Sequence, residues 1–211
     1  MKTIKLTVAL FMLASVAFAQ KAKRPILPAD VQIRVALLAA PIKDRANATV
    51  YGYTPEGKFT TLRQGTNDMI CLAPNPKQAG IYVYAYPKRL DPFMARGREL
   101  TAEGKGTQEK NDAREAEVKS GKLDFPKDPT ALFGYWGKDE DLVPATGEIK
   151  NGMRRYVIYV PYATGESTGL PTLPSVPGMP WLMNAGTYKA HIMMNPENMG
   201  HEHTAPTKKT N

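Results

Sequence analysis

The chain has 211 residues, a formal net charge of +8, 10 methionines and one cysteine. A single cysteine excludes an internal disulfide, so the core alone must hold the fold together. The basic residues are dispersed in small groups, such as Lys88/Arg89 and Arg154/Arg155, instead of lying along one helix face. A dispersed excess of this kind argues against nucleic acid as a partner.

Residues 1–19 have the pattern of a secretory signal peptide. Lys2 and Lys5 form a basic start, an apolar stretch follows, and Ala17 and Ala19 frame an A-x-A cleavage site. No stretch of the chain approaches the roughly 20 apolar residues that a membrane-spanning helix needs. We therefore expect an exported protein without a transmembrane segment, periplasmic or extracellular, whose net charge is +6 after the two lysines are removed.

The 192 residues that remain are enough for one domain with a substantial core. We predict a flexible arm over residues 20–28, a single α+β domain over residues 29–196 and a disordered tail over residues 197–211. The domain is expected to contain a mainly antiparallel sheet of about six or seven short strands, with an N-terminal helix and an inserted helical pair.

The first element of the domain is expected to be a helix over residues 31–40. Asp30 can cap it and Pro41 ends it. Apolar residues also alternate here in a way that fits a strand. The high helix propensity of residues 36–40 favours the helix.

From residue 48 the apolar period changes to two, which is typical of strands. Two such stretches flank Pro55 and Gly57 and predict a β-hairpin. The simplest arrangement of the first four strands is an antiparallel meander. The predicted strands of this part lie at residues 48–53, 58–63, 68–72 and 81–86.

Asp91-Pro92 is typical of a helix start, and Gly104 and Gly121 can end two successive helices over residues 91–102 and 107–120. The second helix is rich in charges of both signs, which predicts a solvent-exposed face and not an interaction motif.

The strongest strand signal of the chain follows a possible turn at Asn151-Gly152. This dipeptide suits a two-residue hairpin turn, so we predict that residues 148–150 pair with residues 153–162. The second strand is apolar on both faces, which predicts a central strand covered on two sides.

Three short pieces of the early chain resemble a pattern found in uncharacterised exported bacterial proteins of unknown function. They are Ala39-Ala40-Pro41, then Ala48-Thr49-Val50-Tyr51, then Gly65-Thr66-Asn67 shortly before Cys71. The resemblance implies no activity and agrees with the expected export.

A G-x-S-x-G pattern centred on Ser167 is the only candidate for a catalytic nucleophile elbow. Its context does not fit, because prolines follow where a helix is needed and no acidic residue lies between Thr168 and His191. Cys71 is expected to be a small buried residue. A pair of Cys71 and His191 would need a fold that joins strands about 120 positions apart. We therefore predict that the protein is not an enzyme.

Methionine and histidine are concentrated near the end of the chain. Residues 179–203 contain five methionines and all three histidines. Thioether and imidazole groups select soft or borderline metal ions, Cu(I) first. If the segment around His191 is a strand, His191 and Met193 share a face. The alternative is that the methionines fill the core. The candidate ligands for copper or silver are His191, Met193, Met183, His201 and His203.

Residues 161–180 form a long loop stiffened by five prolines. Long ordered loops with nearby aromatic residues often line binding sites, so this loop can form a binding site for a small molecule, a glycan or an envelope partner. The alternative is a connection that only covers a sheet edge. The expected function is thus a non-enzymatic binding protein, with metal capture as its most specific form.

Overall fold

The computed structural model describes residues 24–195. The predicted signal peptide, the first residues of the arm, and the tail with His201 and His203 lie outside the described residues. The helices are α1 (Ala29–Leu37), α2 (Asp91–Ala102), α3 (Thr107–Lys119) and α4 (Gly165–Thr168). The strands are β1 (Thr49–Tyr53), β2 (Phe59–Arg63), β3 (Met69–Leu72), β4 (Ile81–Pro87), β5 (Thr130–Gly137), β6 (Leu142–Val143), β7 (Glu148–Ile149), β8 (Met153–Tyr159), β9 (Trp181–Met183) and β10 (His191–Met194).

Eight of the strands form one sheet in the order β2-β1-β3-β4-β5-β8-β10-β9, and β6 and β7 form a separate ribbon. All neighbours in the large sheet are antiparallel except β1 and β3. The predicted α+β class, with a mainly antiparallel sheet, an N-terminal helix and an inserted helical pair, is confirmed. The sheet is larger than the six or seven strands expected.

The predicted meander of the first four strands is wrong, because β1 and β3 run parallel. After β2 the chain turns back across the start of β1, where the backbone N–H groups of Thr66 and Asn67 both donate to the Asn47 carbonyl. Gly65 donates its N–H to Thr49 Oγ1 at 3.1 Å. A side chain at Gly65 would collide with the backbone there. Glycine at this position therefore lets β3 join β1 on the side opposite β2.

The predicted hairpin at Asn151-Gly152 is also wrong. β7 pairs with β6, whereas β8 pairs with β5 and β10. Gly152 lies against the ring of Tyr135, where a Cβ would collide. Ile149 is 3% exposed and belongs to the core under α1. Tertiary packing of these neighbours thus overrides the local turn preference.

α1 packs on one face of β1, β3 and β4, which we call the α1 face. The buried side of the helix repeats at intervals of three to four residues, as an amphipathic helix requires. The core under it is made of small and branched side chains. Its fully buried members are Val35, Ala36, Ala48, Val50, Cys71, Ile81, Val83 and Ala85.

Gln32 is a polar residue within this packing and is 2% exposed. Its Nε2 donates to the carbonyl oxygens of Leu27 and Tyr53, both at 2.8 Å. Its Oε1 accepts the Tyr53 N–H, also at 2.8 Å. The buried amide therefore has hydrogen-bond partners for both of its ends and joins α1 to the end of β1.

The predicted first helix is confirmed, but Asp30 does not cap it. Asp30 lies in the first turn and pairs with Arg34 at 2.8 Å, and Pro28 is at the N-cap position. At the other end, Arg45 and Arg154 both donate to the Leu38 carbonyl. Cationic groups at a helix C-terminus are favourable because of the helix dipole.

The second half of the predicted arm is fixed to the domain. Arg24 donates to the Asp139 carboxylate at 2.7 Å and to the carbonyls of Asn75 and Gly80 at 3.0 Å. Gly80 in turn donates its N–H to the other Asp139 carboxylate oxygen at 2.8 Å. The Arg24 side chain is only 11% exposed. This arginine therefore anchors the chain to the loops before β4 and after β5.

α2 and α3 cover the opposite face of the sheet, which we call the helix-pair face. Phe93 of α2 meets Phe125, Tyr159 and Tyr188 edge to face, with ring centroids 4.8, 6.0 and 6.3 Å away. Edge-to-face pairs of this kind add to the stability that burial provides. These aromatic rings attach the inserted helical pair to β8 and to the segment before β10.

α3 has the exposed character that its charges predict, since none of its residues is buried. Arg96 of α2 pairs with Glu117 of α3 at 2.9 Å and so joins the two helices. Arg114 of α3 lies over the ring of Phe93, 4.1 Å from the ring centroid. Within residues 24–195, no helix is long and apolar enough to cross a membrane.

β8 is central in the sheet, as predicted, but it is not covered on both faces. On the helix-pair face Val157 and Tyr159 are buried. On the α1 face Tyr156 is 41% exposed and Ile158 is only partly buried, because α1 packs on β1, β3 and β4. We call the residues Tyr156, Ile158, Ile192 and Met194 on this face of β8 and β10 the open strip.

Candidate functional site

β9 and β10 bring two pairs of alternating residues together on the helix-pair face. His191 lies directly opposite Met183, and Met193 lies directly opposite Trp181. Residues opposite each other on antiparallel strands share a face, with Cβ atoms about 5 Å apart, and residues two apart along a strand are about 7 Å apart. We call these four residues the cross-strand block.

The connection between β9 and β10 sets this register. Asn184 and Gly186 both have positive φ, 54° and 74°. Thr187 donates both its N–H and its Oγ1 hydroxyl to the Asn184 carbonyl, and Ala190 donates to Thr187. These turns bring the chain back beside β9 and place His191 next to Met183.

His191 is held in a defined orientation. Its Nδ1 lies 2.7 Å from the Lys189 carbonyl oxygen, so Nδ1 carries the proton in the neutral ring and Nε2 keeps a free lone pair. Burial lowers the pKa of His191, against a smaller opposing effect of that hydrogen bond. The imidazole is therefore neutral at pH 7 and can act as a metal ligand through Nε2.

The aromatic environment of His191 adds to this placement. The ring of Tyr159 on β8 lies 5.3 Å from the imidazole, centroid to centroid, and is tilted against it. Tyr159 is 8% exposed, and burial raises its pKa to about 12. A neutral phenol beside His191 therefore contributes packing and no charge.

The two thioethers of the block differ in burial. Met193 is 8% exposed and belongs to the aromatic core under α2 and α3. Met183 is half-buried and packs against the same core. Two of the predicted donors thus lie beside His191, one fixed by packing and one with more freedom to move.

The other methionines of the segment do not belong to the block. Met194 alternates with Met193 and lies on the opposite face, in the open strip. Met179 is 49% exposed in the preceding loop. His201 and His203, also predicted as ligands, lie outside the described residues. The structure therefore brings together three of the five predicted donors: His191, Met193 and Met183.

Trp181 was not among the predicted site residues. The signal was present, because Trp181 and Met183 alternate before the turn as His191 and Met193 alternate after it. The sequence does not show that residues 181–183 pair with residues 191–193, so it cannot show that Trp181 faces Met193. The Nε1 of Trp181 is buried without a hydrogen-bond partner among the described residues, as is the Tyr188 hydroxyl.

Ser167 lies in the single turn of α4 and serves that turn. Its N–H donates to Thr164 Oγ1 at 3.1 Å, and its Oγ accepts the Thr164 N–H at 2.9 Å. Gly169 ends the turn with a φ of 70°. The hydroxyl thus takes part in a reciprocal cap of a short exposed helix.

Cys71 is buried in the core under α1, as expected for a structural cysteine. Burial raises the pKa of its thiol to about 12, so the thiolate is scarce at neutral pH. β3 and β10 are separated by three strands, and His191 lies on the other face of the sheet. The fold therefore keeps Cys71 and His191 apart.

The proline loop at residues 161–180 is attached near its start and at its middle, and its second half is largely exposed. Leu182 donates its N–H to the Pro171 carbonyl at 2.8 Å, and Gly186 donates to the Ala163 carbonyl at 2.7 Å. No residue of the loop is buried, and Leu173 is 63% exposed. A shallow recess with a volume of only about 10 Å³ lies elsewhere, between Arg24, Gln32 and Tyr53, and no loop residue lines it.

Across residues 24–195, no three side chains of His, Cys, Asp or Glu gather as a metal site. Comparison of the chain with family models, with curated proteins and with solved structures found no match.

Proposed function

We propose that this chain is an exported, non-enzymatic binding protein that holds Cu(I) or Ag(I) in the cross-strand block. The observation that carries the proposal is the strand register, which places the imidazole of His191 and the thioethers of Met183 and Met193 on one face of two neighbouring strands. Thioether and imidazole donors select soft or borderline ions. Neither donor is lost to disulfide formation in an oxidising compartment.

The arrangement also favours binding at neutral pH. A ligand must be unprotonated to bind a metal ion. The lowered pKa of His191 keeps the imidazole neutral, and its hydrogen bond to the Lys189 carbonyl leaves Nε2 as the ligand atom. Thioethers carry no proton to lose. All three donors can thus bind a metal ion at pH 7 without first losing a proton.

His201 and His203 follow His191 by 10 and 12 positions and supply additional imidazoles in this proposal. A binding site that depends on them alone would be a property of a histidine-containing tail. A binding site that depends on His191, Met183 and Met193 would be a property of the fold. The two cases give different results in a variant series.

The test is a competition of the purified protein with a Cu(I) chelator under reducing conditions, repeated with Ag(I). The variants are His191→Asn, Met183→Leu and Met193→Leu. Asn keeps a donor for the Lys189 carbonyl, and Leu keeps the apolar volume of Met. We expect each variant to bind Cu(I) at least about 10-fold more weakly, since each removes one of three ligands.

Met194→Leu is the matched control, because Met194 lies on the same strand and faces the other side of the sheet. Its affinity should equal that of the unchanged protein. The double variant His201→Ala/His203→Ala measures how much these two histidines contribute to the Cu(I) affinity. The proposal is wrong if the double variant abolishes binding while His191→Asn, Met183→Leu and Met193→Leu leave the affinity unchanged.

A further inference from the structure

Trp181 completes the cross-strand block on the same face as the three donors. It lies directly opposite Met193 and two residues from Met183 along β9. With strand neighbours about 5 Å apart and alternate residues about 7 Å apart, one ion between the two thioethers lies within reach of the indole ring. A cation within about 6 Å of an aromatic centroid is attracted by the ring, and tryptophan is the strongest such partner.

The placement of the indole is not determined by a hydrogen bond. A buried tryptophan usually finds an acceptor for its N–H. The Nε1 of Trp181 has none among the described residues, although the atom itself is buried. The residue as a whole is half-buried, so part of the ring remains accessible. Packing beside Met183 and Met193 therefore holds the indole in place and leaves part of the ring accessible to a ligand.

We infer that the indole of Trp181 contacts the bound ion and makes the site selective for monovalent soft cations. This inference rests on the proposed function. Cu(I) and Ag(I) are satisfied by few ligands, whereas divalent ions such as Zn²⁺ take four or more, with water or oxygen ligands where protein ligands are lacking. An indole over the fourth side of the block occupies the position that water or an anionic ligand would need.

The test uses Ag(I), which does not change its oxidation state, and the fluorescence of tryptophan. The protein has two tryptophans. Trp136 lies on β5. The guanidinium carbon of Arg155 is 4.8 Å from the centroid of the Trp136 ring. The variant Trp136→Phe therefore leaves Trp181 as the sole indole. We expect one equivalent of Ag(I) to quench its emission by more than half, as heavy-ion contact with the ring requires.

Two further variants separate contact from structure. Trp181→Phe keeps an aromatic face, and Trp181→Leu removes it. We expect the Cu(I) affinity to fall several-fold in Trp181→Leu and less in Trp181→Phe, with the preference for Ag(I) over Zn²⁺ reduced in the same order. Circular dichroism of both variants shows whether the fold is retained, and Trp181→Phe remains informative if Trp181→Leu does not fold.

The two proposals fail in different ways. If His191, Met183 and Met193 are needed for binding but Ag(I) leaves the emission of Trp181 unchanged, the role of Trp181 is wrong and the metal function stands. If neither binding nor quenching is seen, both are wrong. Quenching at one equivalent, lost in His191→Asn, is the result expected from both.

Discussion

The two halves of the α1 face show how unevenly burial is distributed across one face of the sheet. Over β1, β3 and β4 the face is covered by α1, and the side chains of Val50, Ile81 and Val83 are 0% exposed. Over β8 and β10 the same face is the open strip, in which Tyr156 is 41% exposed. Burial free energy scales with the apolar area removed from water, so the first half contributes more to stability. The candidate donors belong to β9 and β10, at the same end of the sheet as the open strip, but they lie on the opposite, helix-pair face.

The largest difference between the halves is expected for core truncation. Ile81→Ala should lower the free energy of unfolding by about 3–4 kcal/mol, because it leaves a cavity in a closely packed core. Ile192→Ala removes the same atoms from the open strip and should cost about 1 kcal/mol. Urea unfolding of both variants measures the two values. Equal losses would show that the open strip is as closely packed as the core under α1.

A second, smaller effect tests the polar contact that joins α1 to β1. Gln32→Leu should lower the free energy of unfolding by about 2 kcal/mol, because the Tyr53 N–H and the Leu27 carbonyl lose their buried partner. Gln64→Leu is the control, since Gln64 is exposed and its side chain donates to the neighbouring Gly65 carbonyl. A stability of Gln32→Leu equal to that of Gln64→Leu would contradict the role given to the buried amide.

The pH dependence of stability reports on His191, which lies on the helix-pair face of β10. Burial lowers its pKa in the folded protein, whereas the unfolded side chain titrates near pH 6.5. Below that pH the unfolded chain takes up a proton that the folded chain does not. The His191 contribution is therefore fully present above about pH 6.5 and is lost as the pH falls through the folded pKa.

We expect His191→Asn to weaken this dependence between pH 7 and pH 5, while Met194→Leu, on the opposite face, keeps it. Thermal unfolding at a series of pH values gives the two profiles. If the profile of His191→Asn matched that of the unchanged protein, the folded state would not hold His191 as a neutral imidazole.

The smallest effect is expected in the proline loop. Leu173 is 63% exposed, so Leu173→Ala should change the free energy of unfolding by less than about 0.5 kcal/mol. Leu182, a few residues later on β9, is 0% exposed, and Leu182→Ala should cost about 3 kcal/mol. Protease cleavage at Leu173 in the folded protein is a second measure. A large loss of stability in Leu173→Ala would contradict this, because it would mean that Leu173 is packed and not exposed.

Local patterns account for much of the fold. The helix propensity of the segment before Pro41, the Asp91-Pro92 start and the alternation in the first hairpin correctly predicted α1, α2, β1 and β2. They did not predict which strands pair with each other. Asn151-Gly152 is a strong turn signal, yet Ile149 is buried under α1 and Gly152 lies against Tyr135, so β8 pairs elsewhere.

For the candidate site, the sequence by itself determined the donor types and the alternation that sets His191 and Met193 on one face. Only the tertiary structure decided that Met183 and Trp181 stand opposite them, because the pairing of β9 with β10 depends on the turn at Asn184 and Gly186 and not on either strand alone. It likewise decided that Met194 is excluded, since its strand neighbour Tyr156 belongs to the other face. A strand sets the face of its own residues, but only its register with a neighbour sets which groups meet.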